Sequence, residues 1–306
     1  MRLKKFLITS AIVSFMLGIY SCKKDNNNNT STDTTTETKI QADDQSFFSD
    51  ETDIVTNEAN ASFDAYAGSA TQTPAGIETP PGFSLPCDAT ITVDTAGSTH
   101  TITITYNGNN CNLTRKRTGT VIISFPQGFK WKEANAALSV KFVDFKVTRN
   151  IDSKSIVING TRTITNVSGG LLKNLATTDS IVHKIDDTNM SVTFDNDKQR
   201  TWETHFTRVF KYNNGIMIYT TGAVTGTNRF GNTFTSTITQ PLVISQSCNF
   251  NIISGQVQHT GANITATVTF GLDSSGNPIS SCPLLLYYKV VWMGPNGTSL
   301  TYIGVY

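Results

Sequence analysis

Apolar and polar side chains alternate with a period of two through most of the sequence after residue 86, and this pattern restricts the fold more than any other feature. Ile102, Ile104 and Tyr106 share one face of a run whose other face is threonine. The alternation returns between Trp202 and Tyr212 and between Ile264 and Phe270. Successive side chains of a β-strand point to opposite faces of the sheet. The sequence therefore predicts antiparallel strands, each with one buried face.

Roughly a dozen such runs, or slightly more, are separated by short turn signals. Many short strands joined by short turns predict a mainly β fold, either an antiparallel sandwich or a curved open sheet or barrel. Asn159-Gly160 either closes a hairpin or lies within one long strand from Ser155 to Asn166. The remaining asparagine–glycine pairs predict hairpin turns at Asn107-Gly108, Asn214-Gly215, Gly231-Asn232 and Asn296-Gly297.

One run changes its phase in the middle. Apolar residues occupy the even positions from 138 to 142 and then the odd positions from 143 to 147. A phase shift of one residue is what a β-bulge, or a strand that moves between two layers, leaves in a sequence. We expect one of these at Phe142-Val143.

One helix is predicted before the strands, over about residues 44 to 66. Apolar residues recur there at helical spacing, namely Phe47, Ile54, Val55, Ala59 and Phe63. Acidic residues lie between them without the spacing of a calcium-binding EF-hand loop. We expect this acidic set to form a solvated face of the helix: Asp50, Glu51, Asp53 and Glu58.

The chain begins with a cationic start and an apolar stretch from Phe6 to Tyr20, which suits a secretory signal and is short for a membrane span of about 20 residues. Ser21-Cys22 then takes the place of the usual cleavage site and resembles the bacterial lipobox. The sequence predicts that residues 1–21 are removed and that Cys22 carries a diacylglycerol thioether and an acylated amine, for example palmitate. The alternative is a plain secretory signal that contains a cysteine.

The segments after Cys22 predict four parts of the mature chain. Residues 22–43 are rich in Asn, Thr, Ser, Asp and Lys and predict a flexible tether. Residues 44–86 hold the helix and a connector, and residues 87–306 form the β domain. A weak internal echo within that domain reflects either two duplicated halves, about 87–170 and 190–306, or chance similarity between two hairpins.

Four cysteines remain once Cys22 is assigned to lipid, and an even number in an exported protein predicts two disulfides. Three pairings are allowed, and we favour Cys87 with Cys111 and Cys248 with Cys282, since each pair flanks an apparent hairpin. Zinc is the alternative, but no Cys-x-x-Cys spacing occurs and the four histidines are dispersed. We therefore expect no metal site.

Charge argues against nucleic acid as a partner. Removal of residues 1–21 takes away Arg2, Lys4 and Lys5, so the formal net charge falls from +1 to −2. Phosphate binding needs clustered lysine and arginine. The local cluster Arg115-Lys116-Arg117 is interpreted as a solvated strand end rather than a site for phosphate or anionic glycan.

No catalytic or cofactor motif is present, so we assign no catalytic residue and no cofactor. Glu203 and His205 share one face of a strand and are interpreted as a solvated pair. Asp144 would need a second carboxylate to act in glycoside hydrolysis. Trp131 lies between Lys130 and Lys132, and we expect it to be exposed and to serve as a contact residue.

Several segments of the β domain resemble a group of uncharacterised lipoproteins from Bacteroidota. They are Cys87 to Asp94, Thr101 to Tyr106 with Gly108 and Cys111, Arg117 to Val121, Gly160 to Asn166, and Gln240 to Leu242 before Cys248. The resemblance spans about Cys87 to the C-terminus. It implies a lipoprotein of the outer membrane and brings no activity with it. It leaves open which face of that membrane the protein occupies.

The sequence favours a lipid-anchored, non-catalytic binding or structural module that contacts an envelope protein or a glycan. A carrier of an apolar ligand inside a curved sheet and a glycan hydrolase are the alternatives. An exposed aromatic patch near Trp131 would favour the module. An apolar cavity above about 300 Å³ would favour the carrier. A cleft with two facing carboxylates would favour the hydrolase.

Overall fold

The structure is a computed structural model that describes residues 40, 43–44, 47–48, 51–59, 61–63, 85–261, 264–293 and 299–305. The predicted signal, Cys22, Asp50 and the turn at Asn296-Gly297 lie outside these residues. The described residues between 40 and 63 are helical, and we name this helix α1. No helix among the described residues has both the length and the apolar character needed to cross a membrane.

The described strands form one antiparallel sheet in which each strand pairs with the next along the chain, from β1 to β13. They are β1 (Ala89–Asp94), β2 (Thr99–Asn109), β3 (Arg115–Pro126), β4 (Ala136–Arg149), β5 (Ser155–Asn166), β6 (Ile181–Phe194), β7 (Gln199–Tyr212), β8 (Ile216–Thr227), β9 (Thr233–Ser245), β10 (Asn251–Gly261), β11 (Ile264–Leu272), β12 (Tyr287–Met293) and β13 (Ser299–Val305). Short 3-10 helices span Leu172–Thr177 and Gln246–Cys248.

The predicted mainly β fold with one N-terminal helix is confirmed, and the open sheet is the variant that forms. β1 and β13 are the edges because each pairs on one side only within the described chain. The strands of the two proposed halves belong to this one continuous sheet. Duplication itself stays a prediction.

Two of the predicted turns are confirmed and one is wrong. Asn214-Gly215 joins β7 to β8, and Gly231-Asn232 lies between β8 and β9. Asn107-Gly108 instead continues β2, because the turn forms a few residues later around Asn110. The Asn110 side-chain oxygen accepts the backbone N–H of the residue four positions on, at 2.9 Å. Asn159-Gly160 lies within β5, which decides between its two alternatives.

The predicted phase change in β4 is a β-bulge. The register against β5 shifts between Phe142 and Phe145, and Asp144 has a left-handed φ of 46°. Gly119 on β3 packs against this bulge with a φ of 98°, and a Cβ there would lie 2.2 Å from the Asp144 carbonyl oxygen. A bulge bends its strand and increases the local twist. Comparable register shifts occur in the pairs β5–β6, β6–β7 and β8–β9, so the sheet is bent along several neighbouring strands.

The bent sheet curves around α1. Glu51 and Asp53 are two residues apart on a helix of 3.6 residues per turn and therefore point in nearly opposite directions. Glu51 pairs with Arg115 on β3, whereas Asp53 pairs with Arg208 on β7. The face of the sheet that α1 packs against is called the inner face below.

The predicted apolar face of α1 is confirmed in part. Phe47, Val55, Ala59 and Phe63 belong to the core cluster that they share with β2 to β9. Ile54 instead lines a cavity beside the helix. Near the end of the segment predicted as a tether, residue 40 is helical, and Asp43 pairs with Arg149 and Lys154 on the β4–β5 hairpin.

Candidate functional site

The acidic residues of α1 do not form a solvated face, which corrects the sequence interpretation. Glu51 is fully buried and Glu58 is 9 % exposed. Both face arginines of β3, Arg115 and Arg117, so that basic cluster is not a solvated strand end either. Burial raises the pKa of both glutamates, while the neighbouring arginines oppose this shift by favouring the charged form. The helix is therefore held by buried ion pairs as well as by apolar contact.

The pair around Arg117 is the most extensively connected of these contacts. Arg117 Nη2 lies 2.9 Å from Glu58 Oε1 and 2.6 Å from Asp88 Oδ1. The hydroxyl of Tyr106 donates to Glu58 Oε2 at 2.6 Å, and the Arg117 guanidinium lies 4.6 Å from the centre of the Tyr106 ring. These contacts tie α1 to β2 and β3.

A second buried pair joins α1 to the middle of the sheet. Arg162 on β5 donates from Nε and Nη2 to the two oxygens of Asp187, at 2.6 and 2.8 Å. Its third nitrogen donates to the carbonyl of Thr52 and the hydroxyl of Thr56 on the helix. Arg162 is 2 % exposed, so its charge depends on these partners.

A cavity of about 340 Å³ lies beside the helix, on the inner face of the later strands. Residues of α1, including Asp53, Ile54 and Asn57, form one wall, and most of the others belong to β7 to β12. Arg115 of β3 and Arg162 of β5 also line the cavity. Most of the sheet residues that line it are apolar, including Phe206, Ile218, Ile238, Ile252, Val268 and Phe270. Its volume falls within the range of about 300–1,000 Å³ that is typical of small-molecule sites.

Several inner apolar residues on the strands beyond β9 are only partly covered, although Ala266, Val290 and Trp292 form a small buried cluster there. Ile252, Val257 and Val268 are half-buried, whereas inner residues of earlier strands such as Ile104 and Ile164 are fully buried. The helix covers the first set of strands and leaves the second set to line the cavity.

The least exposed wall of the cavity carries polar side chains. Thr204, Arg208 and Thr220 are 1 %, 3 % and 3 % exposed and all line it. Arg208 on β7 lies directly opposite Thr220 on β8 and opposite His183 on β6, so the three form a row across neighbouring strands. Arg208 Nε and both threonine hydroxyls have no hydrogen-bond partner among the described residues. Most buried polar atoms in native proteins have a hydrogen-bond partner, so three such atoms without a partner in one wall are unusual.

Histidines near this wall are held neutral. Burial and then the neighbouring Arg208 lower the pKa of His183 to about 3. Burial and then Arg200 lower the pKa of His259 to about 4. His259 Nδ1 lies 2.8 Å from the Ser236 hydroxyl, and both residues line the cavity.

Trp131 is not the exposed contact residue that its flanking lysines suggest, and that expectation is wrong. It is 3 % exposed and packs edge-on against Phe63 of α1 and against His183, at ring distances of 5.7 and 5.2 Å. Its backbone carbonyl accepts a hydrogen bond from the Asn166 side chain at 2.8 Å. The side chains of the two flanking lysines are exposed to solvent, while the indole between them packs into the core.

Both favoured disulfides are present. Cys87 is bonded to Cys111 and Cys248 to Cys282, with sequence separations of 24 and 34 residues. The first staples the start of β1 to the β2–β3 turn. The second fixes the β9–β10 turn to the segment before β12, and residues 249–252 after Cys248 line the cavity.

The residues considered for hydrolysis do not form a catalytic pair. His205 Nδ1 lies 2.8 Å from Asp186 Oδ1 on the exposed side of the sheet, so its partner is Asp186 rather than Glu203. Asp144 sits on the bulge, and its Oδ1 accepts from the Asn159 side chain at 3.2 Å. Within the described residues, no three histidine, cysteine or acidic side chains are grouped as they would be around a metal ion.

No family model, curated protein or solved structure matches this chain.

Sequence reasoning missed the polar wall, although a signal was present. Arg208 has the same strand phase as Trp202, Phe206 and Phe210, which the alternation assigns to one buried face. An arginine in phase with buried aromatic residues indicates a buried charge that needs a partner. Its carboxylate partner, Asp53, lies 155 residues earlier, so the pair itself has no local signature.

Proposed function

We propose that this protein is an outer-membrane lipoprotein that binds an apolar small ligand in the cavity between α1 and strands β7 to β12. The single observation that carries this proposal is the cavity itself. It has a suitable volume, apolar walls and half-exposed aliphatic residues on the later strands. Apolar surface exposed in a concave site favours an apolar occupant.

Two observations support proposing the carrier rather than the partner-binding module that the sequence favoured. The hypothesis of a partner-binding module required an exposed Trp131, and the indole of this residue is buried. The hypothesis of a carrier required an apolar cavity above about 300 Å³, and the cavity beside α1 has a volume of about 340 Å³. A hydrolase gains no support, since Asp144 accepts a hydrogen bond from Asn159 and His205 pairs with Asp186 rather than with Glu203.

In this proposal, acyl groups on Cys22 hold the protein at the membrane while the sheet binds its ligand. The segment between Cys22 and residue 40 is polar. A flexible chain of this length has a root-mean-square reach of roughly 25 Å. That reach lets the cavity approach the lipid surface or move away from it without releasing the anchor.

The test is binding of the fluorescent apolar probe N-phenylnaphthylamine to the chain that begins at residue 22, with Cys22→Ala to prevent acylation. Val268→Trp fills the cavity from β11. The matched control is Val291→Trp on β12, which pairs with Thr267 and so points to the opposite face of the sheet.

We expect saturable probe binding by the parent chain, at least about tenfold weaker binding by Val268→Trp, and little change in Val291→Trp. Circular dichroism and thermal unfolding check that both variants fold. Absence of saturable binding by the parent chain, or equal weakening in both folded variants, would contradict the proposal.

A further inference from the structure

We propose that the ligand carries a carboxylate, and that Arg208, with Thr220 opposite it on β8 and Thr204 on the same face of β7, forms the polar surface at the inner wall of the cavity to which this carboxylate binds. This inference rests on the proposed function and adds the chemical class of the ligand to it. The ligand is then an amphiphile with an acidic head and an apolar tail.

The first observation is a set of three buried polar atoms, of which Arg208 Nε can only donate and the two threonine hydroxyls can donate or accept. Arg208 Nε and the hydroxyls of Thr204 and Thr220 each lack a partner among the described residues. All three side chains are more than nine-tenths buried, and all three line the cavity. A buried polar group without a partner destabilises the fold, so a ligand that accepts a hydrogen bond from this wall would add stability.

The second observation is how Arg208 uses its other nitrogens. Its Nη2 pairs with Asp53 of α1, which fixes the guanidinium between the helix and the cavity. Nε then remains free to donate to a second group. An arginine side chain has donors only, so the group that it meets must be an acceptor.

The third observation is the chemistry of the buried, unpartnered atoms that line the cavity. Among the described residues, Arg208 Nε can only donate, the hydroxyls of Thr204 and Thr220 can donate or accept, and Oδ1 of Asn57 can only accept. A carboxylate offers two oxygens with about four acceptor positions, and it forms charge-assisted bonds with arginine. Neighbouring His183 is neutral and therefore does not compete for the charge.

The arrangement also orients the tail. Thr204, Arg208 and Thr220 lie on β7 and β8, the least exposed wall. The half-buried apolar residues Val257 and Val268 lie on β10 and β11. A head bound at the first wall places an acyl chain along the second, toward the uncovered strands.

The experiment measures displacement of N-phenylnaphthylamine by dodecanoate and by methyl dodecanoate, which have the same tail and differ in the charge of the head. The variant is Thr204→Val with Thr220→Val, which removes both hydroxyls at almost constant volume. The matched control is Thr207→Val with Thr221→Val. These threonines pair with each other on the exposed face of the same two strands.

We expect the parent chain to bind dodecanoate about tenfold more tightly than the ester, since hydrogen bonds to a charged group are stronger than those to a neutral one. The preference should fall to about twofold or less in the inner double variant and persist in the control. Thr220→Ser keeps the hydroxyl and should retain the preference for the acid over the ester. A folding defect in the double variant therefore does not decide the result.

Equal affinity of the parent chain for acid and ester would overturn the head-group assignment while leaving the apolar site in place. Equal loss of preference in the two double variants would also overturn it. Failure of both ligands to displace the probe, together with probe binding that Val268→Trp leaves unchanged, would instead contradict the proposed function.

Discussion

The inner face of the sheet has two regions that differ in how they are covered. On β2 to β7, α1 lies against the sheet, and Arg115, Arg117, Arg162 and Arg208 meet carboxylates or polar atoms of the helix or of the sheet itself. On β9 to β12, aliphatic and aromatic residues line a cavity. Both regions use the same alternating strand pattern, so the pattern alone does not separate a filled core from an open site.

The difference follows from where the charges lie. Buried arginines need carboxylates, and the acidic residues of α1 supply several of them on the side of β2 to β7. The described residues of β9 to β12 carry few inner charges, and the ion pair of α1 on that side is between Asp44 and Arg229 in the β8–β9 turn. The helix is therefore fixed on one side of the curved sheet and leaves the other side open.

The largest effect should come from breaking a pair in the covered region. Arg162→Met leaves the carboxylate of Asp187 buried with Trp202 as its remaining donor. Removal of one partner of a buried ion pair costs about 3–5 kcal/mol. Urea unfolding of the Arg162→Met chain should show a loss of this size in the free energy of unfolding.

Lys184→Met is the control for that comparison. Its pair with Asp186 is 54 % and 26 % exposed at 3.1 Å. Exposed pairs contribute about 0–1 kcal/mol, so the free energy of unfolding should hardly change. A loss in Arg162→Met as small as that in Lys184→Met would contradict the view that buried pairs hold the helix.

The two disulfides should contribute similarly to the stability of the protein but should differ in their effect on probe binding. Loops of 24 and 34 residues predict a loss of about 3–4 kcal/mol for replacement of either pair by alanine. Only the Cys248→Ala, Cys282→Ala variant should weaken probe binding as well, because residues 249–252 line the cavity. Equal weakening by the Cys87→Ala, Cys111→Ala variant would show that the cavity does not depend on its local staple.

The boundary between the regions should be sensitive to acid. The pKa of His183 is lowered to about 3 from its usual 6.5, so between these values the unfolded chain binds a proton that the folded chain does not. Its contribution to stability is complete above pH 6.5 and is lost as the pH falls toward 3, at up to about 1.4 kcal/mol per pH unit. At pH 5 the loss is about 2 kcal/mol.

His183→Leu should remove this part of the pH dependence between pH 7 and pH 5, measured by urea unfolding at each pH. The exposed His205→Gln is the control and should retain it. Glu51 and Glu58, whose pKa values are raised by burial, act in the opposite sense in both chains and cancel in the comparison. A parallel pH profile in His183→Leu would show that this histidine is not held neutral.

Much of the fold could be predicted from the sequence, because local sequence patterns determine these features. Alternation predicted the strands, the phase change at Phe142-Val143 predicted the bulge, and cysteines that flank hairpins predicted both disulfides. The cavity was not predictable in detail, because its position depends on how several bulges bend the sheet. The contact between Arg117 and Glu58 spans 59 residues, and no short-range pattern reports it. Trp131 was misjudged because its neighbours in sequence are lysines, whereas its neighbours in space are Phe63 and His183.

The most direct test of the central claim is a crystal structure of the chain from residue 22, with Cys22→Ala, soaked with dodecanoate that carries bromine at the end of its tail. Anomalous scattering should locate the bromine near Val257 and Val268, with the carboxylate density within hydrogen-bond distance of Arg208 and Thr220. Bromine elsewhere, or a cavity closed by the protein's own side chains with no bromine bound, would contradict the account.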